Sequence, residues 1–434
     1  MHQKLVLVVV ICGLSTAAQL ASQAVADPAA DSAVSVLQAP PVEALVAKAL
    51  ANSPGIQALR AKLAAAREME RPAGALPDPM VGAMIQDASF PKNTIGQEPM
   101  SMAGFEVRQD LLFPGKRSAR VTVALAETAQ RDAELAALEA QTASDIRTLF
   151  ARIYALDREQ ETASAAHELL SLLSATVAAR YAAGEAQQEA LVRVQIEISR
   201  LNERLDDLST ERIGWVAALN RWLDQPADAP LGTVASLPTV EHRQPFVRSP
   251  DAETAPEVLT ASAALATAAS RSRVAQTELK PNLSSAAGIG FRGSKDPVVT
   301  LRFGFELPIW RRQKQEPMAR AAAHEVVMAQ SELRSAQAMV RAESARLEAQ
   351  WTTSERQIVR YKEGILPQSS LALDAARSAY LAGRGDFETV IADFNLWLEA
   401  RMELARRESD RFIAWAELQR LAQPARPQAS EASR

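Results

Sequence analysis

Between Gly115 and Gly184 the chain runs for 68 residues without a glycine or a proline, in a stretch rich in Ala, Leu, Glu, Arg and Gln. These residue types are strong helix formers, so the run specifies one uninterrupted helix. At 1.5 Å per residue that helix is about 100 Å long, several times the thickness of a small domain. It must therefore lie against other helices along its length, in the manner of a coiled coil. Leu135, Leu138, Ile146, Leu149, Ile153 and Leu156 recur at spacings of three, four and seven and supply the seam. Hydrophobic residues make up 47% of the chain but aromatic residues only 5%. Much of the apolar content is thus alanine, which favours close helix packing over a large globular core.

The second half repeats the plan of the first. YAAGEAQQEALVRVQ from Tyr181 aligns with YLAGRGDFETVIADF from Tyr380 at an offset of 199 residues, and QDLLFPGKR from Gln109 parallels FELPIWRRQ from Phe305 at an offset of 196. Each half holds the same parts in the same order: helix, two short strands, long helix, Gly turn, helix. The expected organisation is a signal peptide over 1–26, an N-terminal linker over 27–41 and a first structural repeat over 42–224. A linker over 225–254, a second repeat over 255–423 and a disordered tail over 424–434 follow.

The strand pairs have a different periodicity. Val299, Leu301, Phe303, Phe305 and Leu307 alternate with Thr300, Arg302, Gly304 and Glu306, which predicts a strand with one apolar and one polar face. Leu283 to Phe291 alternates likewise, and the turn between them is expected to contain Gly293, Asp296 and Pro297. A weaker pair is expected near Met80 to Ile85 and Ala103 to Leu111, where Phe105 and Val107 alternate with Glu106 and Arg108.

Helix lengths carry architectural information. Helices expected near 42–71 and 187–222 together match the long helix of the first half. Those near 255–279 and 386–422 do the same for a second long helix over 315–379. Two short helices stacked end to end can therefore flank one long helix in each half. Gly364 and Pro367 interrupt the second long helix, where a kink is expected because proline removes a hydrogen bond and clashes with the preceding turn.

The first residues read as a secretory signal: His2 and Lys4, an apolar run from Leu5 to Leu14, and Ala24-Val25-Ala26 before Asp27. The run is too short for a membrane-spanning helix. Cys12, the one cysteine, lies inside it behind Val10 and Ile11 rather than the small residues of a lipidation signal. Removal of the signal leaves a chain without thiols, which excludes disulfides, catalytic cysteine and Cys-type zinc sites. With 48 basic and 52 acidic residues, the balanced charge asks for no nucleic acid.

Enzyme motifs are incomplete. His167-Glu168 and His324-Glu325 begin like zinc-protease motifs, but Ser171 and Met328 stand where the second His is needed. Gly115-Lys116 resembles the end of a phosphate-binding loop, yet Asp110 replaces its first glycine and Arg117 its Ser or Thr. It reads instead as a strand-to-helix junction. Met80, Met84, Met100 and Met102 gather around the first strand pair, and thioethers suit copper(I) or silver. No Met or His spacing defines a coordination set, so no catalytic, cofactor or metal site is assigned.

Four amphipathic strands of about ten residues are long enough to cross a bilayer when tilted. They cannot do so as an open sheet, whose edges would face lipid unpaired, and known spanning barrels have at least eight strands. Four per chain therefore requires oligomers. Two copies give eight strands around a packed interior, and three give twelve around a pore.

PDPM at 77–80, LLFPGKR at 111–117, GEAQQEALVRVQIEISRL at 184–201 and ILPQ at 365–368 followed by YLAG, in this order on a duplicated plan, resemble the TolC family of outer-membrane efflux proteins. The resemblance covers nearly all of the chain beyond the signal. It implies a mainly α protein with a membrane β-barrel: a homotrimer whose four strands per chain close a 12-stranded barrel in outer-membrane lipid, above a long α-helical barrel in the periplasm. The PDPM and FPGKR forms resemble the branch that exports heavy-metal cations with resistance-nodulation-division pumps, related to cobalt-zinc-cadmium and copper-silver systems. Implied partners are that inner-membrane pump and a periplasmic adaptor, or membrane fusion protein. The implied mechanism is passive conduction through a tip that opens on docking. Tyr181 to Gly184 and Tyr380 to Gly383 are the expected tip turns, and Glu185, Glu189, Asp386 and Glu388 beside them either ring the entrance and attract cations or serve as helix-start residues. A drug-efflux or type I secretion exit duct of the same family is the alternative. A periplasmic adaptor or coiled-coil scaffold fits less well, because neither needs duplicated amphipathic hairpins.

Overall fold

A computed structural model describes residues 38–89, 95, 97–98, 100–185, 187–240 and 253–422. The signal peptide with Cys12, the tail over 424–434 and residues 241–252 of the inter-repeat linker lie outside the described residues. Among the described residues, the first repeat comprises α1 (Val42–Asn52), α2 (Pro54–Glu68), α3 (Glu70–Ala73), β1 (Met80–Gln86), β2 (Met102–Leu111), α4 (Lys116–Ala182) and α5 (Gln188–Trp222). The second comprises α6 (Pro256–Thr277), β3 (Asn282–Arg292), β4 (Lys295–Glu306), α7 (Gln315–Arg360), a π-helical turn (Tyr361–Ile365), α8 (Leu366–Leu381) and α9 (Phe387–Ala422).

The uninterrupted helix is α4, 67 residues long. It packs along its first half against α2 and α6 and along its second against α5 and α9, while α7 lies on α6 and α9 and α8 continues on α9. The contacts fix the directions. Arg60 meets Glu139 and Arg271 meets Glu127 near the sheet, whereas Arg204 and Arg406 meet Glu159 farther along α4. Helices form one layer of four rows, two of them made of short helices placed end to end, as the lengths required.

Three departures from the sequence reading have local causes. The helix expected over 42–71 breaks at Ser53, which is extended at ψ 122° because Pro54 follows it. The kink expected at Gly364 and Pro367 takes the form of the π-helical turn, which widens the backbone just before the residue that lacks an N–H. Asp296 and Pro297 lie in β4 rather than in the turn, which is the two-residue Gly293-Ser294 with Gly293 at φ 65°. Proline is tolerated there because β4 is an edge strand.

Two large apolar clusters, with two smaller ones, hold the helical layer among the described residues. Val177, Val194, Tyr380, Phe387, Val390 and Phe394 pack near the far end of α4. Val42, Ile146, Ile153, Leu219 and Phe412 pack near its middle, each fully buried side chain contributing about 1.5–3 kcal/mol. Residues 225–240 wrap this middle region. Val234 N–H donates to Asp157 Oδ2 at 2.7 Å, and Arg212 Nε donates to Asp157 Oδ1 at 2.6 Å.

Candidate functional site

The four strands form one antiparallel sheet in the order β1-β2-β3-β4, leaving β1 and β4 as edges. Directly paired residues point to the same face, so the register decides what each face presents. Val81 pairs with Val107, Phe105 with Ile289, Ala287 with Leu301 and Leu283 with Phe305. One face is therefore largely apolar, interrupted by Gln109 opposite Ser285. It is also open: Val299, Leu301 and Phe303 are 69%, 67% and 77% exposed. The other face carries Glu106, Arg108, Thr300 and Arg302, and Arg302 Nη1 donates to Glu106 Oε2 at 2.7 Å across β3, where Gly288 and Ala286 leave room. No helix among the described residues is long and apolar enough to cross a membrane, a statement that leaves the sheet untouched.

At the foot of α4 the sheet is locked to the helices. Lys116 is 1% exposed, and its ammonium donates to Glu278 Oε2 at 3.0 Å, Lys280 O at 2.9 Å and Asn282 Oδ1 at 2.8 Å. Burial pushes the Glu278 carboxyl up, but hydrogen bonds and charge from Lys116 and Arg120 outweigh it and hold the group below its ordinary value. Gly115 at φ 93° turns the chain from β2 into α4. The sequence marked this junction but carried no sign that the lysine is buried, since lysine is almost never fully buried unless paired.

At the opposite end of the helices lie the two Gly turns, and they are built alike. Gly184 and Gly383 have φ 77° and 69°. Gly184 N–H donates to Tyr181 O and Glu185 N–H to Arg180 O, and the same pattern joins Gly383 to Tyr380 and Arg384 to Ala379, a left-handed helix ending that favours glycine. The structure brings the two turns together. Arg180 donates to Tyr380 O and its guanidinium stands 4.9 Å over the Tyr380 ring; Arg193 lies 2.8 Å from Glu189 and 3.5 Å from Glu388. Glu185 faces Arg180 at 3.7 Å. Asp386 accepts from Thr389 N–H at 2.7 Å and from its hydroxyl at 2.9 Å, bonds that hold its carboxyl below the ordinary range. Tyr181 is 44% exposed, whereas Tyr380 is 6% exposed and packs edge-on against Phe387. Sequence reasoning named the four acids and missed Arg180 and Arg193; the four-residue spacing of Glu189 and Arg193 was the available signal.

Among the described residues no three His, Cys, Asp or Glu side chains converge as metal ligands. Met80 and Met84 stand on the polar face of the sheet with Met102, whose side chain is buried against Gly290; Met100 is exposed outside the strands.

No protein-family model and no curated protein matches the sequence. Solved structures do. The outer-membrane protein VceC from Vibrio cholerae is 18% identical with a TM-score of 0.75, over 89% of this chain and 97% of that one. The outer-membrane channel OprN is 16% identical with a TM-score of 0.79, over 89% and 91%. CusC, described for conformational changes accompanying folding and transmembrane channel formation, is 16% identical with a TM-score of 0.72, over 90% and 96%. The long helical layer, the four-stranded sheet with one bare apolar face and the paired Gly turns thus make up, across nearly nine-tenths of the chain, the fold of outer-membrane channel proteins.

Proposed function

We propose that this protein is the exit channel of a tripartite efflux system, a homotrimer that conducts substrate passively across the periplasm and the outer membrane. The observation that carries this reading is the bare apolar face of the sheet, bounded by two unpaired edges. Lipid satisfies the face, and closure into a barrel satisfies the edges. Three copies make twelve strands with the polar face, including Glu106 and Arg302, lining a water-filled pore. The helical layers of the three copies continue the duct for about 100 Å towards the paired Gly turns.

An inner-membrane resistance-nodulation-division pump supplies the energy, and a periplasmic adaptor joins pump to channel at the turns. Heavy-metal cations are the proposed substrates, on the strength of the PDPM and FPGKR motifs. Tyr181, Gly184, Glu185, Glu189, Tyr380, Gly383, Asp386 and Glu388 form the proposed periplasmic entrance. Its acids attract cations, partly offset by Arg180 and Arg193. No chemistry is asked of the chain.

Growth of a strain lacking the protein, with and without complementation, tests the reading across divalent metals, copper, silver and a panel of drugs. Selective metal sensitivity restored by complementation is the expected outcome. Sensitivity to drugs alone removes the metal assignment.

A further inference from the structure

Two strand-to-helix junctions stand at the same end of the sheet, β2 to α4 and β4 to α7. The register holds them level, because Leu111 pairs with Leu283 and Leu283 with Phe305. Their cations are used differently. In the first junction Lys116 is buried, Arg117 donates to Gly74 O at 2.6 Å and Arg120 lies 3.2 Å from Glu278. In the second, Arg311 is 3.1 Å from Glu316, but Arg312 and Lys314 are exposed and meet no carboxylate among the described residues. Lys280 joins them from the foot of β3, two residues before the Asn282–Glu306 pair that ends the hairpin. It is exposed, and its ammonium stands 5.2 Å over the Phe113 ring with no carboxylate partner among the described residues.

The carboxylates of these strand and helix ends are engaged: Asp110 by Arg108 at 3.2 Å, Glu278 by Lys116 and Arg120, Glu306 by Asn282 at 3.1 Å, and Glu316 by Arg311. Asp78, the exception, lies beside β1 at the opposite edge of the sheet. The β4 junction also carries apolar surface. Leu307 extends the alternation of β4, and Ile309 and Trp310 follow it into the turn; all three are exposed. The other five tryptophans of the chain are at least partly covered. Trp310 O accepts from Gln313 N–H at 2.9 Å and from Lys314 N–H at 3.0 Å, so these residues make one helical turn with Trp310 and Lys314 on the same side. The bare face of the sheet therefore ends in an exposed tryptophan with free cations just beyond it. Tryptophan favours the headgroup level of a bilayer, and lysine and arginine just past a spanning segment attract anionic lipid.

We propose that this junction, Trp310 with Lys280, Arg312 and Lys314, docks the phosphate headgroup of an anionic phospholipid in the leaflet nearest the helical layer. The occupant follows from charge complementarity and from continuity with the lipid-facing sheet. Arg312 presents a fork of donors that matches phosphate, the two lysines add point charges, and Trp310 bears on the glycerol and the upper acyl chain. The β2 junction, whose cations are engaged within the chain, has no such role. The surface rests on the channel reading, which supplies the membrane.

Native mass spectrometry of the full-length protein in detergent, titrated with phosphatidylglycerol or with phosphatidylcholine of the same chains, tests the surface. Wild type is expected to retain phosphatidylglycerol in preference. Lys280→Gln with Arg312→Gln and Lys314→Gln is expected to lose that preference about tenfold or more, each cation contributing about fivefold. Lys48→Gln with Arg341→Gln and Arg360→Gln, which removes the same charge from exposed positions of the helical layer, is expected to leave it unchanged. Equal retention of both lipids by wild type, or equal loss in the two triple variants, overturns the site. Displacement of the lipid by soluble glycerol phosphate marks a site for the free anion and overturns the lipid assignment. In vesicles, phosphatidylglycerol brominated near the carbonyl end of its chains is expected to quench wild-type tryptophan emission more than that of Trp310→Phe. Equal quenching overturns the placement of Trp310. Protein that inserts into vesicles but shows no lipid preference overturns the surface alone, whereas protein that does not insert overturns the channel reading with it.

Discussion

Lys116 Nζ stands 3.0 Å from Glu278 Oε2, joining the foot of the first long helix to the residue that closes α6 in the other repeat. The contact draws the two halves together where helices meet sheet, and its lysine is 1% exposed. Lys116→Met keeps most of the side-chain length and removes the charged ammonium, leaving Lys280 O and Asn282 Oδ1 without that donor. A loss of about 2 kcal/mol is expected, read as a lower melting midpoint by circular dichroism. The Glu278 carboxyl is held below its ordinary value. Its contribution is therefore present above the unfolded-state pKa and lost as pH falls through the folded one. Wild type should lose its advantage over Lys116→Met in acid.

Glu417 points the other way. Burial pushes its carboxyl up, Glu343 and Asp145 add to the shift, and Arg346 opposes it. A raised carboxyl favours the protonated folded state, so stability is lost as pH rises through the folded pKa. Glu417→Gln should raise the melting midpoint at neutral pH, and the gain should vanish near about pH 4, where the carboxyl begins to hold its proton even in the unfolded chain. A gain that persists at that pH contradicts the assignment.

Gly383 and Gly364 provide a matched pair. Gly383 sits at φ 69°, where a Cβ costs about 1–2 kcal/mol. Gly364 lies in the π-helical turn outside the left-handed region, and a Cβ added to it would meet nothing within 4 Å. Gly383→Ala should therefore lower thermal stability and loosen the turn, detected as faster amide exchange at Gly383 to Asp386. Gly364→Ala should be neutral or stabilising.

The strand faces separate by their tolerance of charge. Phe303→Arg puts a cation on the apolar face and should cost about 2–4 kcal/mol at mid-membrane, abolishing membrane insertion as measured by fractionation. Thr300→Arg, three residues away on the polar face, should insert normally. Equal behaviour of the two variants would contradict the assignment of faces.

Much of this was legible in the sequence because it depends on periodicity and chain punctuation. The glycine- and proline-free run gave α4, the alternation from Val299 to Phe305 gave β4 and its faces, and Gly184 and Gly383 marked the turns through their need for positive φ. What was not legible depends on sequence-distant partners. Nothing near Lys116 announces Glu278 and Asn282, and nothing near Arg180 announces that its guanidinium lies over Tyr380. The break at Ser53 was signalled by Pro54 and overlooked, because the apolar pattern continues on both sides of it.

Single-channel recording of the purified full-length protein in planar bilayers tests the central claim most directly: that copies of this chain close a water-filled pore. Discrete, ohmic conductance steps are expected, absent for Phe303→Arg and retained for Thr300→Arg. Protein that incorporates into the bilayer and passes no current would contradict the channel.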